Sequence, residues 1–272
     1  MARSKSKKAR GSGAARRTRH VRNAAGPVVI VTGGSRGIGA ACALLAGARG
    51  WRVVINYRSE KRAAERVVTA IRRSGSQAIA VQGDMAVEAD VLKLFREADR
   101  AFGRLDGLIN NAGITGKPSR VDQIGADPLR RVLEVNIVGP FLCAREAIKR
   151  MSSARRGRGG AIVNISSAAA RLGGPGEWVH YGASKGAIDT MTIGLGREVA
   201  AEGIRVNAVR PGLIDTDIHA TAGLPDRVAK LAPTVPMRRA GSAEEVADTV
   251  IWLLSDDSSY VTSSIVDVSG GR

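Results

Sequence analysis

The sequence predicts an α/β fold: one doubly wound parallel sheet with helices on both faces. Three observations carry that prediction. Short apolar runs alternate with helical stretches along the chain, the order that gives a parallel sheet covered on both sides. The hydrophobic share is 44% and the aromatic share only 3%, so the core is built from Ala, Val, Ile and Leu, as buried parallel strands are. A glycine-rich turn follows the first apolar run and opens the first helical stretch, where sheets of this kind bind ligands at their carboxyl edge.

The elements follow in order. Residues 28–31 (Val-Val-Ile-Val) are short and wholly apolar, as a strand buried on both faces requires. After the glycine turn comes a helix over about 40–49, then a strand at 51–57, a helix at 60–73 and a strand at 77–82. A helix over 88–102 leads to the fourth strand at 105–110. One long helix is expected over 128–151, then a basic turn at 153–160 and the fifth strand at 161–165. The next helix carries Tyr181 and Lys185 and runs to about 201, and a sixth strand follows at 204–209. Residues 211–236 read as an irregular or short-helical segment of the kind that forms lids. Ser242 and Glu245 have the spacing of a capping box for the next helix. Residues 264–268 close the sheet.

The 272 residues carry a formal net charge of +17. Nine basic residues and no acid fall in residues 1–26, a stretch without apolar periodicity that is expected to be a disordered, solvated tail. Nucleic acid is not its expected partner, because no aromatics are interleaved to stack on bases. The folded domain is then 27–272. The two cysteines, Cys42 and Cys143, lie in helical patterns and form neither a disulfide framework nor a zinc spacing, which fits a reducing cytoplasm. No apolar run reaches the ~18 residues of a membrane span, and no apolar core follows the basic start as in a secretory signal.

Chemistry points first to Tyr181 and Lys185. Four residues apart on a helix, they share one face. An ammonium beside a phenol favours the phenolate and is expected to draw the tyrosine pKa from near ~10 towards neutral, where a phenol can exchange a proton with a substrate oxygen. Gly33, Gly37 and Gly39 suit a turn that lets a pyrophosphate approach the backbone at a helix N-terminus. The second strand ends Asn56-Tyr57-Arg58, without the acid that usually holds a ribose 2′-hydroxyl. With Arg36 in the glycine turn, that corner suits a 2′-phosphate, hence NADP, with NAD possible. His180 is expected to pack or line a pocket, and His219 lies in the lid segment. No cluster has metal-ligand spacing.

The turn Thr32-Gly-Gly-Ser-Arg-Gly-Ile-Gly39, Asn110-Asn-Ala-Gly113 after the fourth strand, and Tyr181-x-x-x-Lys185 occur in that order. On these motifs the chain resembles the short-chain dehydrogenase/reductase family from about residue 27 to 272. Further matches are Asp84, Asn136, Asn164-Ile-Ser-Ser167, Pro211-Gly212 and Thr216. The resemblance implies a single Rossmann-type domain and an NAD(P)-dependent oxidoreductase acting on a small ketone or secondary alcohol, with no membrane partner. It implies a phosphate loop of Thr32, Gly33, Ser35, Arg36, Gly37, Ile38 and Gly39. Asn56, Tyr57 and Arg58 would border the ribose, and Asp84 with Met85 the adenine. Asn110, Ala112 and Gly113 would floor the cleft, and Lys185 would grip the nicotinamide ribose beside Tyr181. Pro211, Gly212, Ile214 and Thr216 would meet the nicotinamide end.

The implied catalytic set is Asn136, Ser167, Tyr181 and Lys185, with Asn136 holding a water that connects Lys185 to solvent. Ser166 competes with Ser167 for the substrate oxygen. The second serine is the family's usual choice. The stretch 174–178 lengthens the interval to Tyr181 and is expected to reshape the substrate pocket without moving the tyrosine. The run Val-Ile-Asn-Tyr-Arg resembles sugar dehydrogenases and 3-oxoacyl carrier-protein reductases alike. A homotetramer is the implied assembly. A catalytically vestigial binding protein using the basic tail is the rival reading, and the complete catalytic set argues against it.

Overall fold

The computed structural model describes residues 26–217 and 221–272. His219 and the tail expected to be disordered, apart from Gly26, lie outside the described residues. The strands are β1 (Val28–Val31), β2 (Arg52–Tyr57), β3 (Ala78–Gln82), β4 (Gly107–Asn110), β5 (Gly160–Ile165), β6 (Ile204–Pro211) and β7 (Ile265–Val268). They form one seven-stranded sheet in the order β3-β2-β1-β4-β5-β6-β7, parallel at every pairing. The order reverses at β1, which pairs Val29 with Val53 on one side and with Gly107 on the other. A crevice opens at such a reversal, outside the carboxyl ends of the strands.

The helices are α1 (Gly37–Ala48), α2 (Lys61–Arg73), α3 (Glu88–Phe102), α4 (Ala126–Leu133), α5 (Gly139–Met151), α6 (Ala169–Leu172), α7 (Val179–Val199), α8 (Arg227–Leu231) and α9 (Ala243–Leu254). Alternation along β1 divides the core between the two faces. Val29 and Val31 pack with α1, α2 and α9, and Val28 and Ile30 with α3, α5 and α7. Every β1 residue is fully buried. The capping box at the start of α9 is formed. Glu245 N–H donates to Ser242 Oγ at 3.2 Å, and Ser242 N–H to Glu245 Oε2 at 2.8 Å.

The single helix expected over 128–151 is a correction. It is divided into α4, a π-helical stretch at Glu134–Val138, and α5. Pro140 gives the physical reason. It lacks the N–H that α-helical geometry would send to the Asn136 carbonyl. The chain widens instead, and Gly139 N–H reaches back five residues to Glu134 O. Asn136 therefore sits inside an irregular turn. The first helix also starts earlier than expected, at Gly37, so Ile38 and Gly39 lie within it.

Candidate active site

One cleft of about 880 Å³ runs along the carboxyl ends of the strands, from the glycine turn to Tyr181. Ser35, Arg36, Gly37 and Ile38 line one end, with Asn56, Tyr57 and Arg58 beside them. Arg36 caps α1 without a side-chain hydrogen bond, and no acid occupies the first turn. The helix N-terminus thus presents its amides to the cleft without a carboxylate to compete. Gly33 and Gly37 have φ of +63° and +54°, a region open to glycine. A Cβ on Gly39 would lie 2.4 Å from Gly33 O, so this glycine seats α1 against the turn. These residues fit a nucleotide pyrophosphate.

Several residues assigned to the cofactor act on the loop from behind. Thr32 is buried, and its Oγ1 accepts from the N–H groups of Asn111 and Ala112, both at 3.0 Å. Asn56 is also buried. Its Oδ1 accepts from Gly33 N–H at 3.2 Å and its Nδ2 donates to Gly83 O at 2.8 Å. Asn110 is a correction. Its side chain points into the sheet, donating to Asn164 Oδ1 at 2.9 Å and Pro140 O at 3.3 Å. Its neighbour Asn111, which sequence reasoning passed over, holds the turn through Thr32 O at 2.9 Å and Gly33 O at 3.0 Å and lines the cleft with Ala112 and Gly113. The alternation that buries one asparagine exposes the next.

Asp84 and Met85 line the cleft, and Asp84 is also engaged by Arg131 on α4 and by Ala86 N–H. Burial pushes the Asp84 carboxyl up. The Ala86 hydrogen bond and the Arg131 and Arg58 guanidiniums outweigh it and hold the group below its ordinary value. Arg131 was not expected here. Arg36 and Arg58 are exposed cations at the same end, and Glu60, an acid the sequence reading did not weigh, also borders it.

At the other end, Ser167, Tyr181, Lys185, Pro211, Gly212, Ile214 and Thr216 line the cleft. Ser167 and Tyr181 both border this end, where Ser167 Oγ accepts from Ala169 N–H at 3.1 Å. Ser166 also borders the cleft but is buried, and it donates to Lys185 O at 3.2 Å. Lys185 Nζ lies 5.7 Å from the Tyr181 ring centroid and donates to Ile165 O at 2.7 Å. The expected lowering of the tyrosine is not what the chain's own groups produce. Burial pushes the Tyr181 phenol up, opposed by the neighbouring Ser167 hydroxyl. Burial pushes Lys185 down to about 8, opposed by Asp189. Desolvation disfavours both charged forms.

Asn136 is fully buried and does not line the cleft. Its side chain clamps Ile114, accepting from N–H at 2.9 Å and donating to O at 2.8 Å, and donates to Ser184 Oγ at 3.0 Å. Ser184 in turn donates to Tyr181 O at 2.7 Å. The stretch 174–178 forms a turn over this end. Trp178 Nε1 donates to Gly116 O at 3.2 Å, and His180 Nε2 pairs with Thr115 O at 3.0 Å, so His180 packs as expected. Arg227 on α8 bridges to Glu177 at 2.6 Å and lies 4.4 Å from the Trp178 ring. No metal-ligating cluster and no helix long and apolar enough to cross a membrane occur among the described residues.

A family model described as enoyl-(acyl carrier protein) reductase matches residues 33–272. A double mutant of a Serratia marcescens short-chain dehydrogenase/reductase shares the fold at a TM-score of 0.83 and 32% identity, over 91% of this chain and 98% of that one. The chain belongs to the short-chain dehydrogenase/reductase family. It is an NAD(P)-dependent oxidoreductase of that family, acting at CH–OH or carbonyl carbon. Similar curated proteins include the Escherichia coli "uncharacterized oxidoreductase YgfF", 51% identical over 90% of this chain and 99% of that protein. Glucose 1-dehydrogenase 2 of Bacillus subtilis is 36% identical (90% and 94% covered). The 3-oxoacyl-[acyl-carrier-protein] reductase of Synechocystis is 38% identical (90% and 96%).

Proposed function

We propose that this dehydrogenase/reductase interconverts a small ketone and its secondary alcohol with NADP(H), using Ser167, Tyr181, Lys185 and Asn136. The observation that carries the reading is the convergence of Ser167, Tyr181 and Lys185 at the end of the cleft that starts at the glycine turn. Two adjacent hydroxyls can bond one carbonyl oxygen. When bound, the nicotinamide supplies or accepts the hydride. In reduction Tyr181 gives its proton to the substrate oxygen, and in oxidation it takes the proton back. Ser167 donates to the same oxygen and stabilises charge that develops there. The Lys185 ammonium favours the phenolate that Tyr181 becomes. Its pKa of about 8 leaves it mostly charged at pH 7. Asn136 fixes the Ile114 backbone and, through Ser184, the first turns of α7.

Arg36 and Arg58 support NADP over NAD, because both are exposed cations at the ribose corner and Asp84 is already paired with Arg131. Sugar-like and 3-oxoacyl-like ketones are the substrate classes, as the names and similar identities of the two relatives suggest. The same reading includes a homotetramer and a cytoplasmic setting, the latter supported by two free, buried cysteines. Following NADPH absorbance across a panel of such ketones tests it. Oxidation of NADPH by none of them, with Ser167 and Tyr181 intact, would contradict the substrate class.

A further inference from the structure

Lys185 has a charged neighbour that the catalytic set does not include. Asp189 lies one turn further along α7, on the same face as Lys185. Its side chain is 9% exposed. Arg210 on β6 holds Oδ2 at 2.9 Å through Nε and 2.8 Å through Nη2. The other oxygen, Oδ1, is buried with no hydrogen-bond partner among the described residues, a costly state for a carboxylate. The charges continue outward with alternating sign. Arg210 is 3.9 Å from Asp267 on β7, and Asp267 is 3.3 Å from Arg171 on α6.

The groups facing Lys185 from the other elements bear on its charge differently. From β5 come the Ile165 carbonyl and Ser166. The β4 loop contributes Gly113, where a Cβ would lie 3.5 Å from Nζ and 3.4 Å from Asn136 Oδ1. α7 itself adds the Tyr181 phenol. On α4, Arg131 and Arg130 are paired with Asp84 and Asp127, and Glu134 in the π-helical stretch is exposed. Asp189 is the buried anion on this list.

We infer that Asp189, restrained by Arg210, is a positioning residue that keeps the Lys185 ammonium charged in its dry site and so sets the alkaline edge of turnover. The inference rests on the reading of Tyr181 and Lys185 as the proton-handling pair. Burial of Lys185 lowers its proton affinity, and Asp189 opposes that. Arg210 moderates the effect by offsetting part of the carboxylate's charge.

The test is the pH profile of kcat/KM for NADPH-dependent reduction in the full chain, for wild type, Asp189→Asn and Arg210→Met. Asp189→Asn should move the alkaline edge down by about one pH unit, as expected for losing one nearby opposite charge. Arg210→Met leaves the carboxylate uncompensated and should move the edge up. Damage to packing alone would lower rates at every pH without opposite shifts. If either variant fails to fold, Asp267→Asn replaces it. That side chain is 33% exposed, and its loss lets Arg210 act more fully on Asp189, moving the edge down. Unshifted edges in the folded variants would overturn the inference. Tyr181→Phe run alongside separates the two readings: normal turnover there contradicts the catalytic assignment, whereas lost turnover with unshifted edges contradicts only the role of Asp189.

Discussion

Replacing Lys185 with Met should stabilise the fold near neutral pH while abolishing turnover. Lys185 is buried, and burial lowers its pKa from 10.5 to about 8, opposed by Asp189. That difference corresponds to roughly 3 kcal/mol of cost for holding the charged form. The sign follows from proton binding. Between pH 8 and 10.5 the unfolded chain binds more protons than the fold, so wild-type stability rises with pH over that window. The cost is fully present below pH 8 and gone above 10.5. Methionine has a similar length and no charge to desolvate. The variant does lose the 2.7 Å hydrogen bond to Ile165 O, worth about 1–2 kcal/mol when the carbonyl is left unpaired. The net expectation is a gain of about 1–2 kcal/mol at pH 7 that shrinks and reverses towards pH 10.5. Urea denaturation of both proteins at pH 7 and pH 10 measures it. A variant less stable than wild type by a constant amount at both pH values would refute the reasoning.

Replacing Arg36 and Arg58 together with Ala should raise KM for NADPH well above its effect on NADH, read from initial rates with each cofactor. Equal changes would remove the 2′-phosphate assignment. Asn56 should be left alone in that experiment, since Asn56→Asp would set a carboxylate against Gly83 O and destabilise the glycine turn. Ser242→Ala should cost about 1 kcal/mol of stability by losing the cap of α9, seen as a lower urea midpoint at pH 7. Glu245, held down to about 2 first by Arg239 and then by the Ser242 amide, contributes stability that is whole above its ordinary 4.5 and fades as pH falls through about 2. The deficit of an Arg239→Ala variant, which loses that guanidinium, should therefore narrow in acid melts, whereas Ser242→Ala keeps the amide and its deficit should not. Light scattering at micromolar concentration should give a tetramer mass, and a stable monomer would contradict that assembly.

Much of this architecture was legible because parallel strands buried on both faces must be short and apolar. Residues 28–31 could hardly be anything else. That the glycine turn, Ser167, Tyr181 and Lys185 share one cleft was also legible, since residue types at fixed spacing along local elements mark them. What was hidden depends on direction or on distant partners. Whether Asn110 or Asn111 faces the cleft turns on one step of strand alternation, and the motif contains both. The break at Asn136 followed from Pro140, four residues on, a signal present in the sequence that helical periodicity masked. Arg131 is 47 residues from Asp84, and Arg227 is 50 from Glu177. No local pattern announces either pair. The direction of the Tyr181 pKa was hidden for a related reason: the nearby lysine is visible in the sequence, but the burial that raises the phenol is not.

Tyr181→Phe tests the central claim most directly. The change keeps the ring and removes the hydroxyl beside Ser167, leaving the glycine turn, Asp84 and Lys185 to bind NADPH. Turnover should fall by at least ~10²–10⁴-fold, the usual loss for a general acid, while NADPH affinity measured by fluorescence titration stays close to wild type. Near-normal turnover in a folded Tyr181→Phe variant would contradict the assignment of this cleft's proton donor.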